Sequence, residues 1–281
     1  MNILVTGASG FVGSHLLEHL AAHLDANCVG VTRTPSHKPD TVFCELTDYR
    51  QVDDLIETVR PGVIYHIAGS FSNDFETDYA NNVIAAKNIL EATLKHRHDA
   101  HVLLMGSAAE YGRVKDWQNP VSEQQALKPI SVYGWTKAAQ TLLASLYAGR
   151  YGLNVMVART FNLSGKGMSK NLFTGRVEQQ IRDFQAGRTD RITVGNLDAR
   201  RDYIDIASAC DMYLAITSRG TPGEVYNVGS GVAVSMRELL EGMLQEAGLD
   251  ASIIHEIQDQ KPASEVGMIY ADTSKVSSLM K

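Results

Sequence analysis

Tyr133 and Lys137 stand four residues apart, and Ser107 closes an apolar run upstream of them. On a helix that spacing is about one turn, so the phenol and the ammonium share a face. A free tyrosine titrates near ~10 and is a poor base at neutral pH. A neighbouring ammonium favours its phenolate. Bringing that pKa to about 7 takes roughly 4 kcal/mol of differential stabilisation, at about 1.36 kcal/mol per unit. Ser107 is able to donate to a substrate oxygen beside the tyrosine. Such a trio suits proton transfer at a substrate oxygen. Taken alone, a Tyr and a Lys at this spacing are an ordinary helix surface, and a strand-ending serine is an ordinary cap. The start of the chain changes that reading.

There Ile3-Leu4-Val5 is a short apolar run, the pattern of a strand buried on both faces. Gly7, Gly10 and Gly13 follow at every third position, and a helical pattern begins at once. A phosphate needs backbone N–H groups aimed at it without side chains in the way. A glycine turn opening a helix supplies those donors together with the positive end of the helix dipole. Gly13 lets the helix pack closely on the strand. Glycines directly after a first strand and before a helix fit the dinucleotide fingerprint. A nicotinamide ring, positive when oxidised, would then favour the Tyr133 phenolate further, and Lys137 could also hold ribose hydroxyls.

The elements that must position these groups alternate. A helix over 11–24 leads to strands at Asn27–Thr32 and Thr41–Cys44, a helix Asp48–Val59 and a strand Val63–Ile67. A helix Asn81–Lys95 precedes the strand His101–Met105, and a helix from Ser131 to Arg150 precedes the strand Asn154–Arg159. Strands and helices at this spacing imply right-handed crossovers and a parallel sheet covered on both sides, an α/β fold of Rossmann type. Residues 1–163 are expected to form this dinucleotide-binding domain and 164–281 mainly a smaller substrate-binding region, with some segments free to return to the first. That region should carry helices at 171–186, 205–218 and 235–247, a strand at Val225–Val228, and short strands near Ile192, Tyr203, Ile253 and Ile269. It should pack against the carboxyl ends of the strands, where such sheets bind ligands.

With 281 residues, 44% of them hydrophobic and 21% charged, the chain reads as an ordinary globular protein. No window approaches a membrane span, and the N-terminus reads as a core strand rather than a signal peptide, so the expected location is cytoplasmic. A formal net charge of −6 argues against general nucleic-acid binding. Cys28, Cys44 and Cys210 lack metal-ligand spacing and read as buried apolar residues or free thiols. His15, His19 and His23 form a stripe that no carboxylate or cysteine completes, so no metal is expected. His96, His98 and His101 cluster at a helix end, where a cation suits the dipole.

The motifs Gly7xxGly10xxGly13, Ser107-Ala-Ala-Glu-Tyr111-Gly112 and Tyr133xxxLys137 resemble the extended short-chain dehydrogenase/reductase family, the nucleotide-sugar epimerases, dehydratases and reductases. His66-Ile-Ala-Gly69, Asn81-Asn82-Val83, Arg159-Thr-Phe-Asn162 and Arg201-Asp-Tyr-Ile-Asp205 match further landmarks in order, so the resemblance covers nearly the whole chain. It implies Ser107, Tyr133 and Lys137 as catalytic residues. It implies Gly7, Gly10, Phe11, Val12, Gly13, Ile67, Ala68, Gly69, Asn82 and Phe161 at the cofactor, with the Glu45-Leu46 pair near its adenine. Asn162 and Arg201 would then lie near a substrate pyrophosphate, with Lys261 a weaker phosphate candidate where relatives commonly carry arginine.

Three details narrow the reaction. In the family's 4,6-dehydratases an acidic pair follows the serine or threonine; here Ala108 and Ala109 stand there, so dehydration is not expected. Glu110 falls one place too late and reads as a solvated loop residue. The second strand ends in Thr32-Arg33, where an acidic side chain would suit the NAD ribose and an arginine suits a 2′-phosphate, so NADP(H) is favoured over NAD(H). The run Val194 to Tyr203, with Arg200-Arg201 before an Asp-aromatic pair, resembles the GDP-sugar branch, particularly the GDP-4-keto-6-deoxymannose reductases. Arginine there suits bidentate phosphate contact. The chain departs from the family at Ser164-Gly-Lys166-Gly, where relatives carry proline, and in ending soon after Lys275.

The expected activity is NADPH-dependent reduction of a 4-keto-6-deoxy nucleotide sugar with Tyr133 donating the proton. A sugar 4-epimerase holding NAD and a non-catalytic dinucleotide-binding protein are the alternatives. A homodimer is also expected. Ala138, Ala139, Leu142, Leu143, Leu146, Tyr147 and Ala148 on one helix, and Val83, Ile84, Ala85, Ile89, Leu90 and Leu94 on another, exceed one apolar face. The resemblance suggests that these helices form a four-helix interface.

Overall fold

The computed structural model describes residues 1–34, 40–257 and 267–281. Its frame is a seven-stranded sheet in the order β10-β6-β5-β4-β1-β2-β3, every neighbouring pair parallel. The first strands are β1 (Asn2–Thr6), β2 (Asn27–Thr32), β3 (Thr41–Phe43), β4 (Val63–His66), β5 (His101–Ser107) and β6 (Asn154–Thr160). Strand order reverses beside β1, so the crevice at the carboxyl ends of β1 and β4 is the switch point at which such sheets take ligands.

Successive residues of β1 feed opposite faces, as the period of a strand requires. Ile3 and Val5 pack with Leu16, Leu20 and Tyr213, whereas Leu4 packs with Val52, Ile56, Ile89 and Leu104. The first set belongs to the side covered by α1 (Phe11–His23), the second to the side covered by α2 (Tyr49–Val59). A short α3 (Phe75–Asp78) runs through a π turn, Tyr79–Ile84, into α4 (Ala85–His96). The periodicity predicts one helix from Asn81. The wider turn instead rotates Asn82 and Asp78 inward, where both are fully buried. Helix α5 (Val132–Tyr151) starts at a Ser131 cap, whose Oγ accepts the Gly134 N–H at 3.0 Å, and ends on Gly152 at φ +69°.

Beyond β6 the chain alternates between the two regions. Strand β7 (Asn162–Ser164) pairs with β9 (Arg200–Asp205), and α6 (Phe173–Gln185) and β8 (Ile192–Val194) build the smaller layer. Helix α7 (Ile206–Arg219) then returns to lie beside α1, and β10 (Val225–Val228) becomes the outermost strand next to β6. Tyr65 on β4 bonds the Thr217 hydroxyl at 2.8 Å, fixing α7 to the sheet. Strand β11 (Ala233–Ser235), α8 (Met236–Glu246), β12 (Ile254–Glu256), β13 (Met268–Ile269) and α9 (Ser274–Ser277) complete the chain. The smaller region has a separate apolar core of Val177, Ile181, Ile192, Val194, Leu240 and Leu244. Residues 206–228 thus sit with the sheet, while 164–205 and most of the segment after β10 form the second layer.

One apolar face has a different destination from that read in the sequence. Val83, Ala85, Ile89 and Leu90 are buried inside the chain, because α4 lies between α2 and α5. Of the six apolar residues read on this helix, four are thus buried within the chain, while Ile84 and Leu94 stay half-buried. On α5, by contrast, Leu142 is 66% and Leu146 51% exposed. Among the described residues no helix is long and apolar enough to cross a membrane.

Candidate active site

The glycine turn after β1 is built to let backbone approach backbone. Gly7 has φ +70°, a conformation that side-chain-bearing residues rarely adopt. A Cβ on Gly13 would lie 2.2 Å from the Gly7 carbonyl oxygen, so α1 could not sit this close to the turn with any other residue there. Helix α1 begins at Gly10 without a side-chain cap, which leaves its first N–H groups for an anion. Phe11 and Val12 of that first turn line a cleft of about 980 Å³. These features fit a dinucleotide pyrophosphate.

The cleft continues over Ile67 and Gly69, past the carboxyl end of β5, to Asn162, Arg176 and Arg201. Ala68 lies beside the glycine turn, its N–H on Thr6 Oγ1 at 3.1 Å, and Gly69 is closed in by Asn82 and Lys137. Asn82 Nδ2 donates to Thr136 Oγ1 at 2.9 Å and to the Ser70 carbonyl at 3.0 Å. It ties the loop after β4 to α5. Glu45 is occupied by Thr47, whose N–H and hydroxyl it accepts, and the Leu46 carbonyl accepts from Asn88. Both lie at the carboxyl end of β3. Arg33, at the end of β2, is exposed, with Nη1 3.5 Å from Asn81 Oδ1. Phe161 is buried beneath the cleft. Lys261 lies outside the described residues.

Ser107, Tyr133 and Lys137 meet where β5 ends and α5 begins. The Ser107 hydroxyl accepts the Ala109 N–H at 3.2 Å, and Ser107 lies beside Tyr133 in the lining of the cleft. Lys137 Nζ donates to the Met105 carbonyl at 2.8 Å and to Gln140 Oε1 at 3.0 Å, and stands 6.0 Å from the centre of the Tyr133 ring. Phe71 meets Tyr133 edge-on at 4.8 Å. Gly134 makes this approach feasible, since a Cβ there would fall 2.5 Å from the Ala109 carbonyl oxygen.

The electrostatics differ from the sequence expectation in one respect. Burial pushes the Tyr133 hydroxyl above its ordinary value; the adjacent Ser107 side chain opposes this, and the Glu110 and Asp78 charges add to it. The protein's own groups thus keep Tyr133 protonated, the form that gives up a proton. Burial also lowers Lys137, to about 8, against the pull of the Glu110 and Asp78 carboxylates. His66, fully buried on β4, is held neutral, lowered to about 3 by burial with the Lys137 charge assisting.

One further correction concerns a residue the sequence undervalued. Glu110 is not a solvated loop residue: it is wholly buried and ion-paired to Arg159 at 3.0 Å. Its position next to Ala108-Ala109 looked like a surface turn because the arginine that pairs with it comes from β6, far along the chain. Asp202 is also buried, accepting from Ser230, Gly231 and Ala271 N–H groups at 2.7–3.0 Å. It fixes the strand that presents Arg201, whose Nη1 reaches the Arg200 and Gly267 carbonyls. Arg176, on α6, lines the same cleft and had no motif to mark it. Among the described residues no cluster could hold a metal ion; His19 is instead 3.0 Å from Asp211.

This fold and site define a class. The chain belongs to the NAD dependent epimerase/dehydratase family, with the match spanning residues 3–229. It is an NAD(P)-dependent enzyme of nucleotide-sugar modification. GDP-6-deoxy-D-mannose reductase of Pseudomonas aeruginosa is 30% identical over 260 residues, covering 90% of this chain and 83% of that one. UDP-glucose 4-epimerase of Mycolicibacterium smegmatis is 28% identical over 255 residues, covering 85% and 80%. The structure of RMD from Pseudomonas aeruginosa complexed with NADPH matches with a TM-score of 0.87 at 27% identity, over 99% of this chain and 92% of that one.

Replacing Tyr133 by Phe keeps the ring and its contact with Phe71 but removes the hydroxyl. Turnover should fall at least about a hundredfold, the lower range for general acid–base catalysis, while dinucleotide binding survives. Near-normal turnover would refute the assignment. A pH profile of kcat/KM in the reductive direction should decline as pH rises through about 8, where Lys137 loses the charge it carries below that value. A profile flat well beyond this point would show that the ammonium does not matter.

Proposed function

We propose that the chain is an NADPH-dependent reductase of a 4-keto-6-deoxy nucleotide sugar, GDP-linked in preference to other nucleotides. The observation that carries the reading is the position of Arg33, at the end of β2 and open to solvent, in the place of the acidic side chain that suits the NAD ribose. A bound NADPH supplies the hydride. Tyr133, protonated in its own surroundings, gives the proton to the C4 oxygen, and Ser107 shares the hydrogen bonding of that oxygen. Lys137 holds the ribose hydroxyls. Asn162 and Arg201 face the cleft where a diphosphate would lie, and Arg176 joins them as a third candidate. The neighbours of Ser107 support reduction over dehydration: Ala108 and Ala109 have no ionisable group to transfer a proton, and the Glu110 carboxylate is turned inward to Arg159. Likeness to the P. aeruginosa reductase supports the GDP-sugar, and the complex with NADPH supports the cofactor. The M. smegmatis relative keeps a 4-epimerase as the competing reading.

A charge-assisted bond from Arg33 to a 2′-phosphate should contribute about 1.5–3 kcal/mol. That is roughly a 10- to 150-fold preference for NADPH over NADH, which Arg33→Ala should largely erase and salt should weaken. The purified protein should also lose its cofactor on dialysis. Equal binding of NADH, with stoichiometric NAD surviving dialysis, would replace the reductase by an epimerase.

We also propose a homodimer through the outer face of α5, where Leu142 and Leu146 lie one turn apart and exposed. Sedimentation should give about twice the 30.7-kDa chain mass. Leu142→Glu with Leu146→Glu should return it to a monomer. A wild-type protein that sediments as a monomer at micromolar concentration would exclude this.

A further inference from the structure

The buried pair of Glu110 and Arg159 sits directly behind Ser107, and the bland account is that it merely fills the core. A buried ion pair is a weak source of stability, since apolar groups of similar volume commonly do as well. Its bonds point instead at the site. Glu110 Oε1 accepts the Ser107 N–H at 2.8 Å. Oε2 accepts Thr141 Oγ1 at 2.8 Å and Arg159 Nε at 3.0 Å. Arg159 Nη1 in turn donates to the Tyr111 hydroxyl at 3.0 Å, and that hydroxyl donates to Asn227 Oδ1 at 2.6 Å. The strand also makes room: a Cβ on Gly106 would fall 2.7 Å from Glu110 Oε1. The carboxylate therefore links the end of β5, α5 through Thr141, and β6 through Arg159.

We propose that Glu110 is a positioning residue for Ser107, fixing the strand-end backbone from which the serine hydroxyl reaches Tyr133, with Arg159 holding the carboxylate in place. This rests on the reading of Ser107 and Tyr133 as the groups that act on the substrate carbonyl. The same charge faces the pair on α5. Lys137 and Tyr133 are both faced by Glu110 from the turn after β5 and by Asp78 from α3, and Lys137 also by His66 from β4. Removing the Glu110 charge leaves Asp78 as the remaining carboxylate on Lys137, so both α5 groups should hold their protons less strongly.

Glu110→Gln and Glu110→Asp separate the two effects in the intact protein, because the first removes the charge and the second keeps it but shortens the reach. Glu110→Gln should lower kcat at least about tenfold with NADPH binding changed less than about twofold, and move the alkaline limb of the pH profile to lower pH. Glu110→Asp should lower kcat while the limb stays in place. The Lys137 ammonium, followed by NMR in labelled protein without sugar, should titrate lower in Glu110→Gln than in wild type and unchanged in Glu110→Asp. That arm needs no turnover, so it separates failure of this inference from failure of the reductase reading. Should Glu110→Gln not fold, Thr141→Val removes one donor to the same carboxylate and should lower kcat at least about threefold with cofactor binding intact. Folded variants that lose thermal stability but keep wild-type kcat, pH limb and Lys137 titration would reduce Glu110 to a core-filling ion pair and overturn the proposal.

Discussion

A phenol can deliver a proton to a ketone only if its hydroxyl is held within hydrogen-bond reach of that oxygen, and here the hydroxyl and its serine partner come from different elements. Ser107 ends β5 and Tyr133 opens α5. Their meeting depends on how closely the start of α5 docks on the turn after β5. Gly134 permits that docking against the Ala109 carbonyl, and Ser131 caps the helix so that Tyr133 lies in its first turn. The parallel sheet supplies the remainder of the constraint. Its strands end together at one edge, so the first turn of α1 behind the glycine turn, the loop after β4 and the serine that ends β5 all line the same cleft.

Burial then acts on the groups so assembled. It raises Tyr133 and lowers Lys137, moving the two apart on the pH scale so that the phenol stays protonated where the ammonium begins to lose its proton. On the proposed reductase reading, this places the proton on the residue proposed to give it, before any ligand arrives. The two buried carboxylates, Glu110 and Asp78, oppose the lowering of Lys137 and so preserve its charge near neutral pH. Asp78 does this while accepting from Ser70, Ser72 and Asn73 and shaping the loop that carries Phe71 to Tyr133. Local structure and electrostatics are therefore carried by the same side chains.

Much of this was legible in the sequence where the signal was local. The β1 run, the glycine spacing and the one-turn interval between Tyr133 and Lys137 are short-range patterns, and the strands read from them lie within a residue or two of β1 to β6. What escaped was long-range. Glu110 reads as solvated until Arg159 is brought beside it by the pairing of β5 with β6. The apolar faces of α4 look unpartnered until α2 and α5 are seen to cover them. The π turn at Tyr79–Ile84 has no compositional mark, since it follows from burying Asp78 and Asn82 together. Arg176 belongs to no motif and reaches the cleft only through the fold of the second layer.

In the proposed reaction, hydride enters the sugar from an exchanging NADPH and is not returned. NADPH carrying deuterium at the transferable position of its nicotinamide, incubated with a GDP-linked 4-keto-6-deoxyhexose, tests it in one reaction. The account predicts deuterium on C4 of the product sugar with one NADPH oxidised for each ketone reduced. Unoxidised NADPH and unreduced ketone, from a protein that inverts a nucleotide hexose at C4 without taking up label, would contradict it.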